Sequence, residues 1–137
     1  MSRSTERADG MSVFDPTCMS RGVLTHATGR WGSLVLAALV DGPLRFAEVR
    51  RAVTGISDRM LSQTLQRLEA DGLVARTQLE EIPPRVDYNL TGIGQPIAER
   101  ICDLIDAIYD QLPDIIAHQR NRPGSGGPVS RTAPGAD

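Results

Sequence analysis

The chain predicts a mainly α fold with one small β-hairpin, and three observations predict it. The first is the stretch from Ser57 to Asp71, about four helical turns long and chemically two-sided. The second is a pair of β-prone segments, Val74 to Leu79 and Arg85 to Leu90, separated by Glu80-Glu81-Ile82-Pro83-Pro84. The third is a stripe of isoleucine and leucine near the C-terminal end, Ile97, Ile101, Leu104, Ile105, Ile108, Leu112 and Ile115, at helical spacing.

Taken in order, residues 1–14 are polar, lack a periodic apolar signal and read as a flexible N-terminal arm. Cys18 to Thr28 and Trp31 to Val40 read as helices, the second so apolar that it must be buried. Asp41-Gly42-Pro43 ends it, Leu44 to Phe46 has room for a very short strand, and Ala47 to Val53 adds a helical turn or two with Val49, Ala52 and Val53 inward. Thr54-Gly55-Ile56 is a turn, Ser57 is placed to cap the two-sided helix, and Asp71-Gly72 supplies its exit. In the second β segment Val86, Tyr88 and Leu90 alternate inward and Asp87 and Asn89 outward. Beyond Thr91 one long helix is expected, regular from about Gln95 to Leu112 and kinked after it at Pro113, with Pro96 near its start. The Pro, Gly and Ser-rich end reads as a disordered tail. The expected organisation is therefore an arm (1–14), a winged helix-turn-helix domain (15–91), a dimerisation helix (92–118) and a tail (119–137). Core candidates are Leu24, Trp31, Leu34, Leu36, Leu39, Phe46, Leu61, Leu65, Leu68, Leu73 and Tyr88. They leave the isoleucine stripe, above all Ile97, Ile101, Leu104, Ile105, Ile108 and Leu112, in need of a second subunit, and a homodimer is expected.

With 137 residues the chain has room for one ordinary domain and an appendage. Its longest apolar run, Leu34 to Val40, falls far short of the ~20 residues that cross a bilayer, so no membrane association and a cytoplasmic location are expected. Net charge is −2 but unevenly placed. Arg45, Arg50, Arg51, Arg59 and Arg67 against Glu48 and Asp58 make one region basic, whereas Gly92 to His118 sets a single arginine against five acids. All fifteen basic residues are arginine, whose planar fork suits phosphate and guanine.

On the two-sided helix, Met60, Leu61, Thr64, Leu65 and Leu68 share one face, and Arg59, Ser62, Gln63, Gln66 and Ala70 the other. Such polar faces are most often simply solvated. Beside a short turn and a hairpin, however, arginine and glutamine are side chains able to grip two atoms of a base edge in the major groove. Double-stranded DNA is therefore the expected partner, contacted through Ser57, Arg59, Ser62, Gln63, Gln66 and Arg67, with Arg50 and the hairpin's Arg85 at phosphates or the flanking groove. Arg45 and Arg51 are further phosphate candidates, and at least one of these arginines serves only solubility. A symmetric dimer implies a roughly palindromic operator with half-sites about 34–36 Å apart, or a multiple of that. A winged helix used purely as a protein-interaction module is the competing reading.

Cys18 and Cys102 are too few and too far apart for a disulfide scaffold or paired-cysteine metal site. Cys18 reads either as a small apolar filler or as a thiol activated at a helix start. Cys102 reads as packing. His26 and His118 stand alone, without metal-ligand spacing, and no metal or cofactor is expected. No nucleophile elbow, zinc-protease motif or phosphate loop occurs, so the chain does not read as an enzyme. Trp31 is a core candidate that could also line an effector pocket near the dimer helices.

Four stretches in this order, GRW (Gly29 to Trp31), DGPLRFAEVRRAV (Asp41 to Val53), GISDRMLSQTLQRLEADGLV (Gly55 to Val74) and PPRVDYNLT (Pro83 to Thr91), resemble the HxlR-type family of bacterial winged helix-turn-helix transcriptional regulators. The likeness covers roughly Cys18 to Leu112. It implies a dimeric DNA-binding protein, commonly a repressor. In a subset of the family a cysteine just before the first helix responds to thiol oxidants, quinones or aldehydes, and Cys18 stands at the matching position, followed by Met19 where proline is common. A non-covalent small-molecule effector is the alternative signal.

Overall fold

The computed structural model describes residue 7 and residues 9–123, and the expected tail from residue 124 onward lies outside the described residues. In chain order the elements are α1 (Met19–Thr28), α2 (Arg30–Ala38), β1 (Leu44–Arg45), α3 (Phe46–Ala52), α4 (Asp58–Ala70), β2 (Val74–Leu79), β3 (Arg85–Leu90) and α5 (Gly94–Arg120). The order is that of a winged helix-turn-helix followed by a long helix. The chain divides into two compact units, one ending at Ile101 and the other beginning at Cys102.

The core of the first unit is built where helical periodicity places apolar residues on facing sides. Val35, Leu36 and Leu39 of the α2 region, Val49 of α3, and Leu61, Leu65 and Leu68 of α4 are all essentially buried, together with Leu73 and Val74. Ala98 and Ile101 of the first turns of α5 join this buried set. Two glycines mark where backbones come too close for any side chain. A Cβ at Gly32 would collide with the carbonyl oxygen of His26, and one at Gly94 with that of Leu73. α1 and α2 are thus separated by a single residue, Gly29, which flanks both helices in an extended conformation.

The ends of α4 follow directly from its sequence. Ser57 Oγ accepts the Met60 N–H at 3.1 Å. At the other end Gly72 takes φ +81°, the Gly72 N–H donates to Glu69 O and the Leu73 N–H to Leu68 O. That is the Schellman closure that a left-handed glycine after a helix permits. Leu73 then leads into β2, which pairs antiparallel with β3 from Val74↔Leu90 to Leu79↔Arg85. β1 adds to the far edge of β3 through Leu44↔Tyr88 and Arg45↔Asp87, so the hairpin is two strands of a three-stranded sheet in the order β1-β3-β2. Thr91 ties the sheet to α5: its hydroxyl accepts the Gly94 N–H at 3.0 Å and donates to Gly72 O at 2.6 Å.

Several expectations are corrected. Leu24 and Leu34 are 43% and 42% exposed, and Ala52 is exposed, while Trp31, Phe46 and Tyr88 are half-buried. Leu34 lies in an unbroken apolar run, where hydrophobicity cannot say which side faces inward. β3 shows no in-and-out alternation: it is the central strand of the sheet, and all six of its residues are half-buried. α5 does not stop at Leu112 but continues across Pro113 to Arg120, so the helix also occupies the start of the expected tail. Proline has a helix-compatible φ, and helical residues on both sides carry the element through. Pro96 stands at the third helical position, where an N–H has no intrahelical acceptor to lose. The described part of the N-terminal arm is turned rather than formless, with Arg7 N–H bonded to Met11 O and Asp15 N–H to Ser12 O.

The second unit is the rest of α5 and the residues after it. Leu104, Ile108, Tyr109, Leu112, Ile115 and Ile116 are each at least 37% exposed in the single chain. Ile105 is half-buried. Ile101 and Ile97 fall in the first unit, and Ile101, only 7% exposed, is committed to the chain's own core rather than to a partner. Among the described residues no helix is long and apolar enough to cross a membrane.

Candidate nucleic-acid interface and thiol site

α4 presents the polar row expected of it. Leu61, Thr64, Leu65 and Leu68 are buried, which turns Arg59 and Gln66 to the exterior and leaves Ser62 and Gln63 half-buried on the flanks of that row. Ser57 and Asp58 are exposed at its start, and the Ser57 hydroxyl oxygen is engaged in the cap. Arg67 is exposed but lies off the row. It lines a cavity with residues of α1 and α2 instead of continuing the line of Arg59 and Gln66.

Two arginines expected at phosphates are already paired. Arg50 of α3 reaches Asp58 at the start of α4, Nη1 to Oδ1 at 3.1 Å, with both side chains well exposed. That pair bridges the two helices across the turn, and an exposed pair of this kind is worth little in itself. Arg85 donates from Nε to Asp87 Oδ1 at 2.8 Å on the same side of β3. This bond to Asp87 holds the Arg85 guanidinium above its ordinary pKa, with the negative charges of Asp87, Glu81 and Glu48 adding to the effect. The wing loop carries Glu80 and Glu81 and a fully exposed Ile82, and its Ile82-Pro83 peptide is cis. The wing is therefore less cationic at its tip than Arg85 alone suggested. Arg76, exposed on β2, is a wing cation that sequence reading passed over. The signal was there, since strand residues 76 to 78 are all polar.

Cys18 is the N-cap residue of α1, half-buried and not in a disulfide. Its sulfur lies 3.1 Å from Ser20 Oγ and 3.5 Å from Met11 Sδ. The Ser20 hydroxyl foremost, then backbone hydrogen bonds at Ser12 and Ser20, lower the thiol pKa, against smaller opposing effects of burial and Asp15. Asp15 is lowered as well, by the backbone and then the hydroxyl of Thr17. The geometry stabilises a thiolate at the start of a helix, the setting in which cysteines become nucleophilic. Cys102, half-buried and likewise not in a disulfide, opens the second unit.

His26 does not stand alone. Its Nδ1 is 2.6 Å from Asp71 Oδ2, linking α1 to the C-cap of α4. Trp31 lies beside it as part of a cavity of about 220 Å³ bounded by α1, α2 and α4. Among the described residues no group of three or more histidine, cysteine or acidic side chains converges.

Comparison with known proteins agrees with the fold. A sequence model described as HxlR-like helix-turn-helix matches residues 26–115. The HTH-type transcriptional regulator YtfH of Escherichia coli (strain K12) is 42% identical over 111 residues, which cover 81% of this chain and 88% of YtfH. The solved structure of ytfH from Salmonella typhimurium superposes with a TM-score of 0.73 at 44% identity, covering 82% of this chain and 99% of that one. The redox regulator HypR in its oxidised form superposes with a TM-score of 0.62 at 32% identity, covering 68% of this chain and 96% of HypR. The relatives are regulators, not enzymes. Family match, fold and motif order together make this chain a member of the HxlR-like helix-turn-helix family of transcriptional regulators.

Proposed function

We propose that this regulator acts as a homodimeric, sequence-specific DNA-binding repressor whose reading element is α4. The observation that carries the reading is the outward row of Arg59 and Gln66, flanked by Ser62 and Gln63, on a helix whose opposite face is locked into the core by Leu61, Leu65 and Leu68. A rigid helix with long bidentate side chains outward is what base-edge recognition needs. Ser57, Arg50, Arg67 and the wing arginines Arg85 and Arg76 then serve the phosphates, where charge matters more than geometry. Arg50 and Arg85 do so by giving up or sharing Asp58 and Asp87. Dimerisation uses the exposed apolar stripe of Leu104, Ile108 and Leu112, with Ile105 and Ile97 at its margins, leaving Ile101 to the monomer. An isoleucine-rich stripe this exposed favours burial against a second copy, which also gives a palindromic operator its symmetry.

The test is retention of the DNA upstream of the protein's own gene, measured by fluorescence anisotropy as salt rises. Specific binding is expected to weaken steeply as condensed counterions are released. Absence of retention at low salt would refute the DNA reading and favour a protein-interaction module.

For the signal, the lowered thiol of Cys18 at a helix N-terminus favours an oxidant or electrophile response. Diamide is expected to change DNA affinity of the wild type and leave Cys18→Ser unaffected. An equal response of both proteins would rule out Cys18 as the sensor.

A further inference from the structure

Apart from Arg67, which the DNA reading also draws on, the cavity behind α4 is lined by side chains that neither the DNA reading nor the thiol reading uses. Trp31 supplies an indole wall, over which the Arg30 guanidinium stacks 4.5 Å from the ring centroid. Met60 of α4 supplies apolar surface in front of the buried Leu68, and His26 and Arg67 line its polar side. Arg67 forms no ion pair with a described acidic side chain. At about 220 Å³ the space is small for a drug-sized ligand but larger than the ~150 Å³ cavity that holds benzene in an engineered protein. One aromatic ring fits it. The rim carries arginine, not acid, and arginine forms paired hydrogen bonds with a carboxylate.

We propose that this cavity is an effector site for a single-ring aromatic carboxylate, its ring against Trp31 and Met60 and its carboxylate on Arg67. The regulatory part of this assignment rests on the DNA reading above; the binding part does not. Coupling follows from placement. Met60, Thr64, Arg67 and Leu68 line the cavity from the same helix that turns Arg59 and Gln66 outward, so a ligand seated there bears on the inner side of the reading element. It also sits beside the His26–Asp71 bond that pins the C-terminal end of α4 to α1. A ligand that binds one position of α4 better than another shifts DNA affinity, and DNA shifts ligand affinity by the same factor.

Trp31 is the sole tryptophan, so its fluorescence reports the site directly. The full chain is titrated with benzoate and, separately, with benzyl alcohol as a neutral ring of similar size. A saturable change with benzoate that is tighter than with benzyl alcohol is expected. Arg67→Gln should weaken benzoate by roughly tenfold or more and leave benzyl alcohol little changed. Thr25→Tyr, at an exposed lining position on α1, should fill the mouth and abolish both responses, whereas Thr25→Ser should bind as wild type. A response that does not saturate, or one that Thr25→Tyr leaves intact while circular dichroism shows the fold unchanged, overturns the site. Saturable binding with no change in retention of upstream DNA overturns the effector role, and loss of DNA retention without ligand refutes the DNA reading alone.

Discussion

Ser57 and Cys18 both stand at helix N-caps, and the difference between their environments separates a structural role from a chemical one. Ser57 Oγ satisfies one of the orphan N–H groups of α4. Ser57→Ala is expected to lower stability by about 1 kcal/mol, read as a shift in the denaturant midpoint. Cys18 makes no side-chain cap bond and is instead surrounded by groups that favour its thiolate, the Ser20 hydroxyl above all. Its rate of alkylation by iodoacetamide should therefore rise with pH through a midpoint below that of a free thiol, and Ser20→Ala should move that midpoint upward. An unchanged midpoint in Ser20→Ala would remove the hydroxyl as the cause. The sign for stability follows from the lowered value: any contribution from the Cys18 thiolate is present above the unfolded-state pKa and lost as pH falls through the folded one. The same direction holds for Asp15, whose carboxylate is lowered by Thr17. Cysteine beside a predicted helix start was legible from the chain, but Ser20 and Met11 as its partners were not, because a sulfur's neighbours depend on how the preceding turn folds back.

At the scale of the element, α4 shows how much periodicity can carry. Its boundaries, its cap, its buried face and its glycine exit all follow from local pattern, and the structure reproduces them. Leu65, 2% exposed at the centre of that face, is the position where Leu→Ala should cost about 2–5 kcal/mol by leaving a cavity, measured by chemical denaturation. On the outer face the two kinds of arginine should separate. Arg59→Ala is expected to cost about 1–3 kcal/mol at the operator with little effect on unrelated DNA. Arg50→Ala should weaken both and reduce the salt slope by about one, provided Arg50 leaves Asp58 for a phosphate. Equal losses on both DNAs for Arg59→Ala would demote it to a backbone contact. Periodicity failed in two places. In α2 every residue from Leu34 to Ala38 is apolar, so the chain does not encode which side is inward, and Leu34 turned out exposed. In β3 the alternation present in the sequence does not appear in burial: the strand lies between β1 and β2, and all six of its residues are half-buried.

At the scale of the molecule, the informative contrast is between Ile101 and Leu104, both taken from one isoleucine and leucine stripe. Ile101 is spent on the fold's own core, whereas Leu104 is 56% exposed and Ile108 48% exposed. Leu104→Glu combined with Ile108→Glu should therefore convert a dimer to a folded monomer, seen as a fall in mass by light scattering with an unchanged helical spectrum. Ile101→Glu should unfold the chain instead, since a carboxylate buried there has no partner. A double variant that stays dimeric would move the interface elsewhere. With the proposed dimer lost, DNA affinity should fall, because a monomer engages only one half-site.

The sequence by itself determined the element order, the two faces of α4, the hairpin and the long C-terminal helix, and with them the family, because each rests on contacts between residues near one another in the chain. Only the tertiary structure decided which apolar residues are core, that Arg50 is paired with Asp58, that His26 holds Asp71, and that Trp31 faces a cavity behind α4. The physical reason differs from case to case. Arg85 and Asp87 are close in sequence and meet because alternate strand residues share a face, but His26 and Asp71 are 45 residues apart and meet only once α1 has packed on α4.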